Sequence, residues 1–287
     1  MTEIGQNREV GLSLSCPEAA RLILSQDAPV QFFLHTTDEA VTICHDVDAD
    51  FYFQLKRARD QIIGLLQART QPIPVRVQLV NELCCRLQRC QGRFARQTME
   101  QVLDTPISPP RRAAYPQGLT QRQILLRMLA ARSPRRADWP QRLLEAAAEI
   151  DRLLASAYAL ELITEFNEFC RGTEVLQEQL LVYYVNKYLI RAAFDRDIAG
   201  AARYCLASWA VIRQLAFAQW LQGIDPAWDG EQAPQGRTPD WITLSQQYAA
   251  ETENDEEGRA ALCRYLRRLP RRKIQDLLGG EWLLDGE

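Results

Sequence analysis

Residues 197–222 read DIAGAARYCLASWAVIRQLAFAQWLQ, and this stretch decides the fold. At 3.6 residues per turn, Trp209, Ile212, Leu215, Phe217 and Trp220 leave little polar face on a helix. A helix that is apolar nearly all round is a buried one. Residues 174–193 hold a second such helix, written around Leu180-Leu181-Val182-Tyr183-Tyr184-Val185.

Helical patterning extends outward from this pair. Residues 51–69 put Leu55, Ile62, Leu65 and Leu66 on one face. Gln71-Pro72-Ile73-Pro74 breaks the pattern, and 75–92 resume it with Val77, Val80, Leu83, Cys84 and Leu87. Residues 105–118 form a linker with Pro106, Pro109, Pro110, Pro116 and Gly118. A helix is expected over 120–131. A long, kinked helical stretch is expected over 139–170, with Leu143, Leu144, Ala147, Ile150, Leu153, Leu154 and Ala157 inward. Further helices are expected over 241–251, 256–268 and 271–278. The expected class is all-α, an orthogonal helical array, with a possible small β-hairpin from residues 30–34 and 40–44. Residues 1–50 form an N-terminal unit and 51–287 the helical body.

The chain has 287 residues, 47% of them hydrophobic and 25% charged, with a net charge of −3. This is the composition of a globular protein. No apolar run approaches the roughly 18 residues needed to span a bilayer. The polar, acidic start MTEIGQNREV lacks the regions of a signal peptide. The expected location is the cytoplasm, with no membrane partner and the eight cysteines free or metal-bound. Twelve arginines lie in 86–142 against Glu100, Asp104 and Asp138. Only Phe94, Tyr115 and Trp139 fall among them, without the regular interleaving that base stacking would require, and no nucleic-acid partner is expected.

The first helix begins at Ser15-Cys16-Pro17-Glu18. Ser15 and Glu18 have the spacing of a capping box, with Pro17 in the first turn. Cys16 then stands at the positive end of the helix dipole, which favours a thiolate. Cys84-Cys85-x4-Cys90 does not suit a metal: Cys84 and Cys90 point roughly 120° apart on a helix. Cys44, Cys170, Cys205 and Cys263 are isolated, and His35 and His45 make no zinc spacing. No G-x-G turn follows a strand, which excludes a Rossmann-type methyltransferase.

The string LSLSCPEAARLIL at 12–24 resembles the flagellin lysine-N-methylase family. So do Leu65-Leu66-Gln67-Ala68-Arg69 followed by Val75-Arg76-Val77-Gln78-Leu79, and the helix Leu176-Gln177-Glu178-Gln179-Leu180-Leu181-Val182-Tyr183-Tyr184-Val185. In that helix Tyr183 replaces an expected asparagine. The resemblance implies a protein-lysine N-methyltransferase with S-adenosylmethionine as donor and flagellin as partner. It also implies an iron–sulfur cluster bound by an upstream cysteine-rich region, which this sequence is expected to lack. On that basis Cys16 is the candidate metal ligand, and Glu18 and Arg21 are the cofactor-side candidates. Glu178 and Tyr184 are candidates for holding the substrate ammonium or taking its proton. The alternative is a non-catalytic helical binding module. An unrelated all-α regulator is a third reading.

Overall fold

The computed structural model describes residues 2–4, 7–9, 12–30, 47–92, 95–107, 117–132, 134–225, 228 and 234–279. Among the described residues the chain is all-α, apart from a short antiparallel ribbon of β1 (Thr2–Ile4) and β2 (Asn7–Glu9) with Thr2 opposite Glu9. The hairpin expected at 30–44 lies outside the described residues, except for Val30.

The helices follow in order. They are α1 (Pro17–Leu24), α2 (Ala49–Leu66), α3 (Ile73–Arg89), α4 (Met99–Leu103), α5 (Gln117–Ala130), α6 (Trp139–Ala155) and α7 (Ala159–Arg171). Then come α8 (Glu174–Tyr188), a 3-10 turn at Leu189–Arg191, α9 (Ala192–Asp195), α10 (Ile198–Leu221), α11 (Trp241–Thr252), α12 (Glu256–Arg268) and α13 (Arg271–Gly279).

Aspartates start three consecutive long helices. Asp197, Asp240 and Asp255 accept the backbone N–H groups of Gly200, Thr243 and Gly258, answering donors that the first turn leaves free. Arg196, at φ 57°, closes α9 in the left-handed region and turns the chain into α10. α10 is the axis of the fold, packed against α3, α5, α6, α8, α11, α12 and α13. Trp209, Ile212, Phe217 and Trp220 on it are all buried. One continuous apolar cluster runs from Leu14 to Leu278.

Three expectations need correction. The stretch 139–170 is two helices rather than one kinked one. Ser156 is extended (ψ 141°) and its hydroxyl accepts the Tyr158 N–H at 3.1 Å, a local turn that competes with helix. Leu144 and Ala157, expected inward, are exposed: α6 turns the face of Leu143, Ala146, Ala147, Ile150 and Leu153 to the core, and Ala157 falls between the two helices. Helix α4 was not expected, although Thr98 and Gln101 form a complete capping box in front of it.

Candidate functional site

The capping box expected at Ser15 and Glu18 does not form. Cys16 is the cap residue of α1 and no side chain caps that helix. The Ser15 hydroxyl instead meets the Ser13 hydroxyl at 2.6 Å, and Glu18 pairs with Arg21 at 3.6 Å on the exposed face. Tertiary partners have outcompeted the local motif. Ser13 donates to Glu253, the Leu14 N–H donates to the Tyr183 hydroxyl at 3.0 Å, and Gln246 donates to the Ser15 carbonyl at 2.9 Å. Glu253 is nearly fully buried. Lys187 neutralises it at 2.9 Å and also donates to Tyr183 Oη at 2.8 Å. Burial first, then the Glu253 charge, push the Tyr183 phenol far up, so it stays neutral and donates to that carboxylate. Tyr183 is therefore the seat of the N-terminal segment. On that seat Cys16 stands exposed to solvent at the mouth of α1.

Glu178 and Tyr184 are not brought together. Six positions apart on α8, they point to different sides, about 9 Å apart along the axis. Glu178 is buried and accepts from Arg69 Nε and Nη2 and from Arg76 Nη1, each at 3.0 Å. Arg76 is itself fully buried. It also donates to the carbonyls of Leu66 and Gln71 and to Glu174. This carboxylate ties the α2–α3 turn to α8. Tyr184 is fully buried, and its hydroxyl has no partner among the described residues. Burial, followed by Tyr248, raises its phenol well above the ordinary range.

Tyr184 belongs to a tract of rings. Tyr183 meets it edge-on at 5.4 Å, Tyr188 stacks on it at 6.0 Å, and Tyr204 meets Tyr188 at 5.1 Å. The tract leads from the N-terminal seat to a cleft of ≈920 Å³ between α9 and α12, floored by Tyr188 and Tyr204. Arg191 and Arg259 lie over the Tyr188 ring at 5.7 and 5.6 Å, and Glu256 pairs with both at 3.3 Å. The two guanidinium groups hold the Glu256 carboxyl below its usual range. Among the buried polar atoms here, Tyr188 Oη and Arg259 Nη1 have no partner among the described residues. Burial pushes the Cys263 thiol in this cleft up to about 11, so it is no thiolate nucleophile at neutral pH. Sequence reasoning missed this cleft. Its legible trace was Tyr188, one helical turn beyond Tyr184.

Among the described residues no group of three His, Cys, Asp or Glu side chains could hold a metal ion. These residues do not fit a four-thiolate cluster, which needs convergent sulfurs. Cys16 belongs to no such set among the described residues, and Cys84, Cys170 and Cys205 are buried as small apolar residues. Cys44, His35 and His45 lie outside the described residues. No helix among the described residues is long and apolar enough to cross a membrane.

Neither a curated protein nor a solved structure matches the chain. A family model does: that of the FliB lysine N-methylase C-terminal domain, over residues 59–276. These bounds take in the C-terminal part of α2, the tyrosine tract, the cleft and the first two turns of α13. With some three quarters of its length matched, the chain belongs to the FliB lysine N-methylase family.

Proposed function

We propose that this protein transfers a methyl group from S-adenosylmethionine to lysine side chains of flagellin in the cytoplasm. Family membership supports the reaction and its substrate. The observation that carries the donor's location is the α9–α12 cleft with the unpaired buried donors Tyr188 Oη and Arg259 Nη1. Its volume is that of a small-molecule site. Its charges are balanced, as a zwitterionic amino-acid end requires. Arg191 and Arg259 would take the donor's carboxylate, Glu256 its ammonium, and the tyrosine faces its cationic sulfonium.

When bound, S-adenosylmethionine supplies an electrophilic methyl group to a neutral amine. The chain's own task is to deliver that amine uncharged. Glu257 makes no ion pair with a described residue and lines the cleft, so it is the candidate acceptor of the lysine proton. Glu178 is excluded from that role on this reading, since two guanidinium groups already bind its carboxylate.

Calorimetric titration of the donor into the protein tests the reading. The wild type is expected to bind, and Arg259→Met to bind about tenfold more weakly, the worth of one charge-assisted hydrogen bond. Labelled donor and flagellin then read methyl transfer. Donor binding unaffected by Arg259→Met overturns the site. A protein that binds flagellin and not the donor is the non-catalytic helical module.

A further inference from the structure

We propose that the arginine-lined cleft between α3, the α9–α10 junction and the α12–α13 connection binds a phosphate group. This cleft of ≈510 Å³ adjoins the one assigned to the methyl donor, sharing Asp195, Asp197 and Arg267 as a common wall. Five arginines line it (Arg89, Arg196, Arg203, Arg267 and Arg271) against two aspartates, a surplus of three positive charges.

The internal carboxylates reduce that surplus but do not cancel it. Glu82 alone is shared by Arg86 at 3.1 Å, Arg89 at 3.6 Å and Arg271 at 2.8 Å. Arg267 approaches Asp197 only to 3.6 Å, and Arg196 pairs outward with Asp48. Arg203 meets no carboxylate among the described residues. Its Nη1 donates to the Leu266 carbonyl at 3.2 Å and its Nη2 touches Cys85 Sγ at 3.5 Å, while its buried Nε has no partner among the described residues. A planar guanidinium with unspent donors, ringed by four more, suits an oxyanion that accepts several forks at once.

A second feature points the same way. Arg196 is the single non-glycine residue with positive φ among the described residues, and it lines this cleft. Such a backbone persists where its surroundings hold it, and it gathers at ligand sites. Here the Arg196 carbonyl accepts from Gln88, and the guanidinium lies 5.0 Å over Phe51. The first amides of α10 do not compete for the anion, since Gln88 takes the Ala199 N–H and Asp197 the Gly200 N–H. Guanidinium groups do the binding.

The test is phosphate binding without methyl donor, so its outcome is independent of the proposed activity. Inorganic phosphate is titrated at constant ionic strength, with acetate as the monoanion control. Heat and the rise in unfolding temperature are recorded. Saturable binding of phosphate and not acetate is expected, weakened about tenfold in Arg203→Met and not restored by Arg203→Lys, which lacks the fork. Arg271→Gln, on a mostly exposed side chain, keeps the fold and is expected to weaken binding severalfold. A phosphoserine peptide and a nucleoside monophosphate then distinguish protein-borne from free phosphate. No saturable phosphate binding by the wild type, or equal binding by Arg203→Met and Arg271→Gln, overturns the proposal.

Discussion

Removing the Glu178 carboxylate separates strut from base. Three charge-assisted bonds end on it, and they are not equal. Arg76 is 0% exposed, so its bond counts at roughly 1.5–3 kcal/mol. Arg69 is 39% exposed, so its two bonds, screened by water, add about 0–1 kcal/mol together. Glu178→Ala also leaves the Arg76 guanidinium buried with only Glu174, itself 33% exposed, as its remaining anion. Losing one partner of a buried pair costs about 3–5 kcal/mol, and the surviving Glu174 contact puts this case near 3. Glu178→Gln keeps an acceptor and the shape and should lose about 2. Urea unfolding followed by far-UV circular dichroism reads both, against a total stability of about 5–15 kcal/mol for a domain. Methyl transfer per folded molecule should be unchanged. A loss under about 1 kcal/mol for Glu178→Ala, or abolished transfer at unchanged stability, refutes the structural assignment.

Other perturbations follow from the same geometry. Tyr183→Phe removes the acceptor of the Leu14 N–H and one donor to Glu253; amide exchange over residues 14–24 should speed up about tenfold, by mass spectrometry, at a cost of about 1–2 kcal/mol. Gly236→Ala places a methyl inside the indole of Trp220, which is buried; overpacking should cost about 1–3 kcal/mol and shift tryptophan emission. Stability should decline with alkali in a defined window. The Cys263 thiol rises from its ordinary 9.0 to about 11 on folding, so the unfolded chain gives up its proton first. Its contribution is whole below pH 9 and is lost as pH rises through 11. Tyr248, raised by burial to about 12, extends the decline. Urea midpoints between pH 7 and 11 should be flat and then fall, and Cys263→Ala should flatten the first part of the fall.

Helices with a clean apolar stripe were legible: Val77, Val80, Leu83, Cys84 and Leu87 of α3 are all buried, and α12 begins and ends where its pattern does. Phase was lost at Ser156, where a hydroxyl–amide bond invisible to periodicity splits one stretch in two. Ser15 is the sharper case. Its local motif is sound, but the segment is held instead by Glu253, Tyr183 and Gln246, from far along the chain. The site suffered in the same way. That Glu178 is a buried acid could be read from its apolar neighbours; that its lone pairs belong to Arg69 and Arg76 could not, since those lie about a hundred positions earlier. The cleft residues Tyr188 and Arg259 sit on helices whose spacing marks them as core and surface, and only their convergence makes a binding wall.

The central position of α10 bears on how the molecule is made. Its sheath is drawn from α3, α5, α6 and α8 before it and α11, α12 and α13 after it. During synthesis the earlier four helices can wrap only part of it. The remainder of this greasy rod waits, uncovered on the ribosome, until residues 222–279 emerge, several seconds at about 5–20 residues per second. Nascent chains stalled before α12 should therefore recruit holdase chaperones, and release of α13 should end that dependence.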